Sequence, residues 1–260
     1  MDVIKLTDVS KTFKKGNTIL KNLNLTIKEG EMVGLIGPSG SGKSTLIRVL
    51  GGLEAADPSE KSKIEIFGKT TQQNGKKTED CKKTYEKVGI IFQQFNLVGR
   101  LKLITNVLIG RLSKIPSWQG SLSLFSKEDK LIALECLEKV KMLEFANQRV
   151  STLSGGQQQR GAIARALAQE AKIILADEPI ASLDPASAHR VMKHLVNLNK
   201  KDGITILVSL HQFEVAKKMC HRIIALNGGE IVFDGEPSEI KKKDLIQLYG
   251  TESPDVLFSA

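Results

Sequence analysis

Residues 31–53 read EMVGLIGPSGSGKSTLIRVLGGL, and the order of events inside this stretch decides the fold. MVGLI is a short apolar run that follows a charged turn, the signature of a buried strand. GPSGSGKS then matches the spacing G-x-x-x-x-G-K-[ST] from Gly37 to Ser44. Beyond it, KSTLIRVL carries apolar residues at helical spacing and stops at the paired glycines Gly51 and Gly52. In a strand, glycine-rich loop and helix of this order, successive backbone N–H groups converge on one anion, with the positive end of the helix dipole behind them. Gly37, Pro38, Ser39, Gly40, Ser41, Gly42, Lys43, Ser44 and Thr45 are therefore candidate phosphate contacts. Lys43 can reach terminal phosphates as a point charge, and the Ser44 hydroxyl can complete a magnesium shell. A chance glycine-rich turn would need neither the strand before it nor the helix after it.

Outward from the loop, DVIKLTDV and NLNLTI alternate as strands on the N-terminal side, and SKIEIFGK and KVGIIFQQ read as strands after the helix. From about Asn96 to Gln169 the pattern is helical. SKEDKLIALECLEKVKML opens with Ser126 and has Asp129 three residues on, a capping-box pattern, and Ala133, Cys136, Leu137 and Val140 share one face. AKIILADEP and GITILVSLH are nearly continuous apolar runs, as in parallel strands covered on both sides. The expected fold class is α/β, with a helical subdomain inserted between two strands of the core. No repeat of 20 to 50 residues and no low-complexity tract is present.

Composition narrows the function classes. The chain has 260 residues, 41% of them hydrophobic, enough to bury a sizeable core. No apolar run approaches the roughly 18 residues of a membrane span, and MDVIKLTDVS lacks the basic start and apolar middle of a signal peptide, so a cytosolic protein is expected. Cys81, Cys136 and Cys220 lie far apart without a CxxC, against a disulfide framework or zinc site. The net charge of +9 gathers in lysines at 74–83 and 240–245. Such clusters can meet nucleic acid or anionic membrane, or can be a solvated surface. No aromatic residues interleave with them for base stacking, so no nucleic-acid partner is expected.

The run IILADE places two acids where a strand should end. Asp177 there suits a magnesium ion, directly or through water, and Glu178 can act as the general base that orients an attacking water. An acid pair at a strand end is otherwise a common helix cap. The phosphate loop makes the catalytic reading the favoured one.

With these two motifs and LSGGQQQR at 153–160 between them, nearly the whole chain resembles the ATP-binding subunit of an ABC transporter. The resemblance implies a RecA-like P-loop NTPase core with an N-terminal antiparallel β subdomain and an inserted α-helical subdomain, spanning 3–247, the helical part at about 96–169 and a short tail at 248–260. It implies ATP and Mg2+ as cofactors. Gln93 in IFQQFNL stands where the family has its Q-loop glutamine, so Ser44, Gln93 and Asp177 become the magnesium set. His211 stands where the family has its switch histidine, and Lys43, Gln93, Glu178 and His211 form the catalytic set. ASLDP ends the D-loop at Asp184. Phe13 falls where the family often has a tyrosine stacked on adenine; the competing reading makes it a strand-core residue. Two such domains associate head to tail in that family, which would bring Ser154, Gly155, Gly156 and Gln157 onto the partner's ATP. The implied assembly is a homodimer on transmembrane permease subunits, peripheral at the cytoplasmic face of the cell (inner) membrane, fed indirectly by a periplasmic or lipid-anchored substrate-binding protein.

The stretch from Asn106 to Gln169, with ADEPIASLDP, SLHQ, RIIALNGGEIVFDG and a late LYG, resembles the ATPase of phosphonate importers. The insertion around Trp118 and Gln212 after the switch histidine carry most of that likeness. Two features depart from it: SLHQ where NLHQ is expected, and a lysine-rich segment at 75–83. Neither is expected to touch the ATP site. An importer of phosphite, phosphate or another small oxyanion is the alternative. A soluble, non-transport ABC ATPase would show twin cassettes or long heptads, and a purely binding module would lack Glu178 and His211.

Overall fold

The structure is a computed structural model that describes residues 1–13 and 16–250. Strands β1 (Asp2–Phe13) and β2 (Asn17–Lys28) form an antiparallel hairpin. Next come β3 (Met32–Ile36) and helix α1 (Lys43–Leu50), with the glycine-rich loop between them. Strands β4 (Lys63–Ile66), β5 (Lys69–Gln73) and β6 (Lys76–Lys77) return to the hairpin, giving a five-stranded antiparallel sheet in the order β2-β1-β4-β5-β6. The N-terminal β subdomain is thus discontinuous in sequence. A short helix α2 (Cys81–Tyr85) precedes β7 (Val88–Ile91).

The helical stretch follows as α3 (Leu103–Leu108), α4 (Ser117–Ser121), α5 (Lys127–Lys139) and α6 (Gly155–Ala168). The chain then completes the second sheet with β8 (Ile173–Ala176), α7 (Pro185–Asp202), β9 (Thr205–Ser209), α8 (Phe213–Met219), β10 (Arg222–Asn227) and β11 (Glu230–Gly235), and ends in α9 (Lys242–Tyr249). This sheet has six strands in the order β11-β10-β3-β9-β8-β7, parallel except for the edge strand β11.

Alternation along the parallel strands explains their unbroken apolar sequences. Val33, Leu35, Ile173, Leu175 and Leu207 point to one side, where α1 lies between the two sheets with Leu46, Ile47, Val49 and Leu50 buried. Met32, Ile36, Ile174, Ile206 and Val208 point to the other, against the helices. Each such side chain contributes roughly 1.5–3 kcal/mol on burial. Leu137 and Val140 of the helical insertion belong to the same continuous core as Ile174 and Ile206, so the insertion is packed onto the parallel sheet rather than closed around a core of its own.

The capping box expected at Ser126 and Asp129 is formed: the Ser126 side chain accepts from the Asp129 N–H, and Asp129 accepts from the Ser126 N–H in return. Asp129 also takes a hydrogen bond from Arg111 Nε at 3.0 Å, and Arg111 reaches Glu170 at 2.6 Å and the Ala168 carbonyl at 3.1 Å. One buried guanidinium therefore ties the start of α5 to the end of α6. Burial opposes the Asp129 charge, yet hydrogen bonds from Ser126 and Arg111 hold its carboxyl below the ordinary value. Arg111→Ala should lower unfolding free energy at neutral pH by about 3 kcal/mol, since it strands a buried carboxylate. A carboxylate with a lowered folded pKa contributes stability above its unfolded pKa of about 4 and loses it as pH falls further. In urea titrations the gap between wild type and variant should therefore shrink below about pH 4; a gap that stays constant with pH would remove Asp129 and Glu170 from the account.

Other expectations from composition can be placed. Cys136 and Cys220 are buried free thiols, and burial pushes them up to about 11 and about 12. Lys76, Lys77, Lys82 and Lys83 are exposed, as are Lys241, Lys242 and Lys243. No helix among the described residues is long and apolar enough to cross a membrane. The boundary read at 247 falls inside α9, whose Leu248 is buried at 6% exposure; the rest of the tail, 251–260, lies outside the described residues.

Candidate active site

The glycine-rich loop sits at the C-terminal end of β3 and enters α1 through Gly42, whose φ of 106° is left-handed. A side chain at Gly37, φ 150°, would run into the Leu226 carbonyl and the Ser41 hydroxyl. Only glycines allow this path. Gly37 N–H donates to the Tyr249 hydroxyl at 3.2 Å, so the late LYG segment braces the loop through α9. The Lys43 ammonium turns onto the carbonyls of Gly37 at 2.7 Å and Pro38 at 3.0 Å. Burial pulls it below its ordinary pKa, against Glu178 and Asp177, whose charges pull the other way. The Ser41 hydroxyl is buried without a hydrogen-bond partner among the described residues. A donor-rich turn that holds a buried cation and an unpaired hydroxyl fits the phosphates of a nucleotide.

The acid pair lies where it was expected, directly after β8. Ser44 donates to Asp177 Oδ1 at 2.9 Å. Ser209, the last residue of β9, donates to the same oxygen at 2.9 Å and accepts the Glu178 N–H at 2.8 Å. Glu178 has a φ of 46°, and its Oε1 lies 2.5 Å from His211 Nε2. Lys43, Ser44, Asp177, Glu178 and His211 are thus drawn together from three strand ends. Ser209 corrects one expectation: the departure at SLHQ does touch this site. The sequence shows Ser209 as a polar residue after the apolar run at 206–208, but its place one register step beyond the Ala176–Val208 pair, beside Asp177, is set by the parallel pairing.

The remaining residues are more dispersed. Gln93 follows β7 and is exposed. Just beyond it Phe95 and Asn96 are left-handed, φ 54° and 49°, and Arg165 of α6 donates to both their carbonyls. Phe13 is 40% exposed at the end of β1 with Lys11 Nζ 5.1 Å from its ring centroid, which rules out the strand-core reading. Asp184 caps α7 by accepting the Ser187 N–H at 2.9 Å, and hydrogen bonds from the Ser187 side chain first and its N–H second hold the Asp184 carboxyl below the ordinary value. A cavity of ≈ 440 Å³ joins Glu178 and His211 to Leu183, Pro185 and His189 of the D-loop region.

The signature segment of the family, LSGGQQQR at 153–160, has a feature not anticipated. Ser154 and Gln157 form a reciprocal capping box: Ser154 accepts the Gln157 N–H at 3.4 Å, and Gln157 accepts the Ser154 N–H at 2.8 Å. The S-x-x-Q spacing announces it. This box uses the N–H groups of Ser154 and Gln157 and leaves those of Gly155 and Gly156 at the helix start outside it.

Three comparisons bear on this arrangement. A family model described as ABC transporter matches residues 20–181. A "Phosphonates import ATP-binding protein PhnC" of Maricaulis maris is 52% identical over 233 residues, 90% of this chain and 88% of the relative. A "Phosphonates import ATP-binding protein PhnC 1" of Pseudomonas aeruginosa is 50% identical over 258 residues, 99% and 92%. Among solved structures, the ATP-binding cassette MJ0796, described as a dimer in a post-hydrolysis state bound to ADP and Pi, superposes with a TM-score of 0.76 at 39% identity, covering 90% of this chain and 98% of that one.

Proposed function

Because the chain belongs to the ABC transporter family, as an ATP-hydrolysing transport ATPase, we propose that it energises the import of phosphonates from the cytoplasmic face of the cell membrane. The observation that carries the cargo is the name shared by relatives about half identical to this chain over nearly all of its length. Two copies would work head to tail on transmembrane permease subunits, with a substrate-binding protein delivering the phosphonate; the dimeric form of a similar cassette supports the pairing.

Each residue role is part of the proposal. Gly37 to Thr45 wrap the nucleotide phosphates, and Lys43 exchanges the carbonyls of Gly37 and Pro38 for terminal phosphate oxygens. Ser44 and Asp177, already 2.9 Å apart, offer the hard oxygen donors that magnesium takes, with Gln93 approaching from the loop after β7. No group of three His, Cys, Asp or Glu side chains among the described residues could hold a metal. That suits an ion that draws the rest of its shell from substrate phosphates and water. Bound there, magnesium would neutralise charge on the phosphates. Glu178 orients the attacking water and takes its proton, while His211 holds the carboxylate and faces the γ-phosphate. Phe13, exposed at the strand end, offers a ring face to adenine. Ser154, Gly155, Gly156 and Gln157 meet the partner's ATP, and Asp184 steers the D-loop between the two sites.

The test is ATP hydrolysis by the chain reconstituted with its membrane subunits, adding binding protein loaded in turn with alkylphosphonate, phosphite or phosphate. Stimulation should follow the alkylphosphonate form. Stimulation by phosphite or phosphate alone would keep the transport ATPase and replace the cargo.

A further inference from the structure

We propose that Ser209 is a positioning residue that holds both acids of the ATP site with one hydroxyl. The inference rests on the reading above, in which Asp177 and Glu178 carry hydrolysis.

The parallel register makes this possible. Ala176 pairs with Val208, so the next residues, Asp177 and Ser209, stand side by side at the ends of β8 and β9. Thr205, Leu207 and Ser209 share the face that looks toward α1. Ser209 is fully buried, at 0% exposure, in a strand whose other residues are buried too. A valine there would continue the apolar pattern; a hydroxyl instead reaches the carboxylate beside it.

Both capacities of that hydroxyl are used. Its proton goes to Asp177 Oδ1 at 2.9 Å, and its oxygen accepts the Glu178 N–H at 2.8 Å. Asp177 Oδ1 receives a second donor, Ser44, also at 2.9 Å. The two serines have unlike prospects. Ser44 belongs to the phosphate loop, and its hydroxyl must turn toward a metal ion when one binds. Ser209 belongs to a buried strand and stays, so it keeps the Asp177 carboxylate aimed when Ser44 leaves. The same oxygen fixes the Glu178 amide where the chain enters a left-handed conformation, φ 46°. Non-glycine residues hold such a φ only when their surroundings over-determine it. Ser209 is one of those determinants, and through the backbone it directs Glu178 toward His211.

The measurement uses the full chain in complex with its membrane subunits. Ser209→Ala removes both bonds, while Ser209→Thr keeps the hydroxyl. Ser209→Ala should lower kcat by about 10- to 100-fold, the usual range for groups that orient a metal ligand, and raise the magnesium concentration needed for half-maximal rate. KM for ATP should change much less, and Thr should restore most of the rate. Binding of a fluorescent ATP analogue in EDTA should be the same in all three proteins, because the phosphate loop is untouched.

Two results overturn the inference: Ala retaining wild-type kcat and magnesium dependence, or Ala and Thr equally impaired with equally lowered melting temperatures, which would mark Ser209 as packing alone. Glu178→Gln measured alongside separates the two levels. If it hydrolyses ATP at the wild-type rate, the catalytic reading itself is wrong; if it is inactive while Ser209→Ala is normal, only the role of Ser209 falls.

Discussion

Glu178→Gln lowers turnover at saturating ATP by about 10³-fold, the middle of the range for removing a general base, or about 4 kcal/mol of barrier. The replacement is isosteric, so the strand end, the Ser209 bond to the Glu178 N–H and the left-handed φ are kept. An amide oxygen can still accept from His211 Nε2, now 2.5 Å from the carboxylate. What the amide cannot do is take a proton from water. ATP affinity should therefore stay close to wild type, since in the proposed site the phosphates meet Gly37 to Thr45 rather than Glu178. Single-turnover hydrolysis with labelled ATP measures the loss. A rate within tenfold of wild type would assign the base to another group.

Ser154→Arg should abolish the ATP-dependent dimer that the Glu178→Gln form is expected to accumulate, as read by size-exclusion chromatography with ATP. The charge by itself would attract phosphate, so size must decide the outcome. Arginine cannot accept the Gln157 N–H, and losing an N-cap costs about 1 kcal/mol. Ser154 is exposed in the single chain, so a long side chain there would clash only where the partner's nucleotide closes over it, adding about 1–3 kcal/mol of overpacking. The cap loss weakens α6 in the open and closed forms alike, so only the overpacking bears on closure, at two sites in a symmetric sandwich, for a total of roughly 2–6 kcal/mol. Moving an open-to-closed equilibrium from 1:99 to 99:1 takes about 5.5 kcal/mol, a shift within that range, so the closed form is lost. Nucleotide binding by one cassette should survive, because its phosphate loop lies on a different element. A normal ATP-dependent dimer in the double variant would remove Ser154 from the interface.

Most of the architecture was legible because local rules and global packing agree. The alternation of β1 and β2, the strand and helix around Gly37 to Ser44, and the capping box at Ser126 each follow from a pattern within a few residues. The box at Ser154 and Gln157 obeys the same rule and was equally readable. Arg111 was not. Its partners Asp129 and Glu170 lie 18 and 59 residues away, and nothing in their spacing marks them as neighbours.

The sequence by itself determined the phosphate loop, the acid pair at a strand end, the α/β class and the signature segment, because each needs only residues adjacent along the chain. Tertiary structure alone decided which side chains share an oxygen. Ser44 and Ser209 both reach Asp177 Oδ1 from 133 and 32 residues away, and His211 reaches Glu178 across the same gap. The physical reason is the parallel sheet: its register aligns the ends of β3, β8 and β9 at one edge. A parallel register is written in long-range pairing and packing, which no local pattern carries.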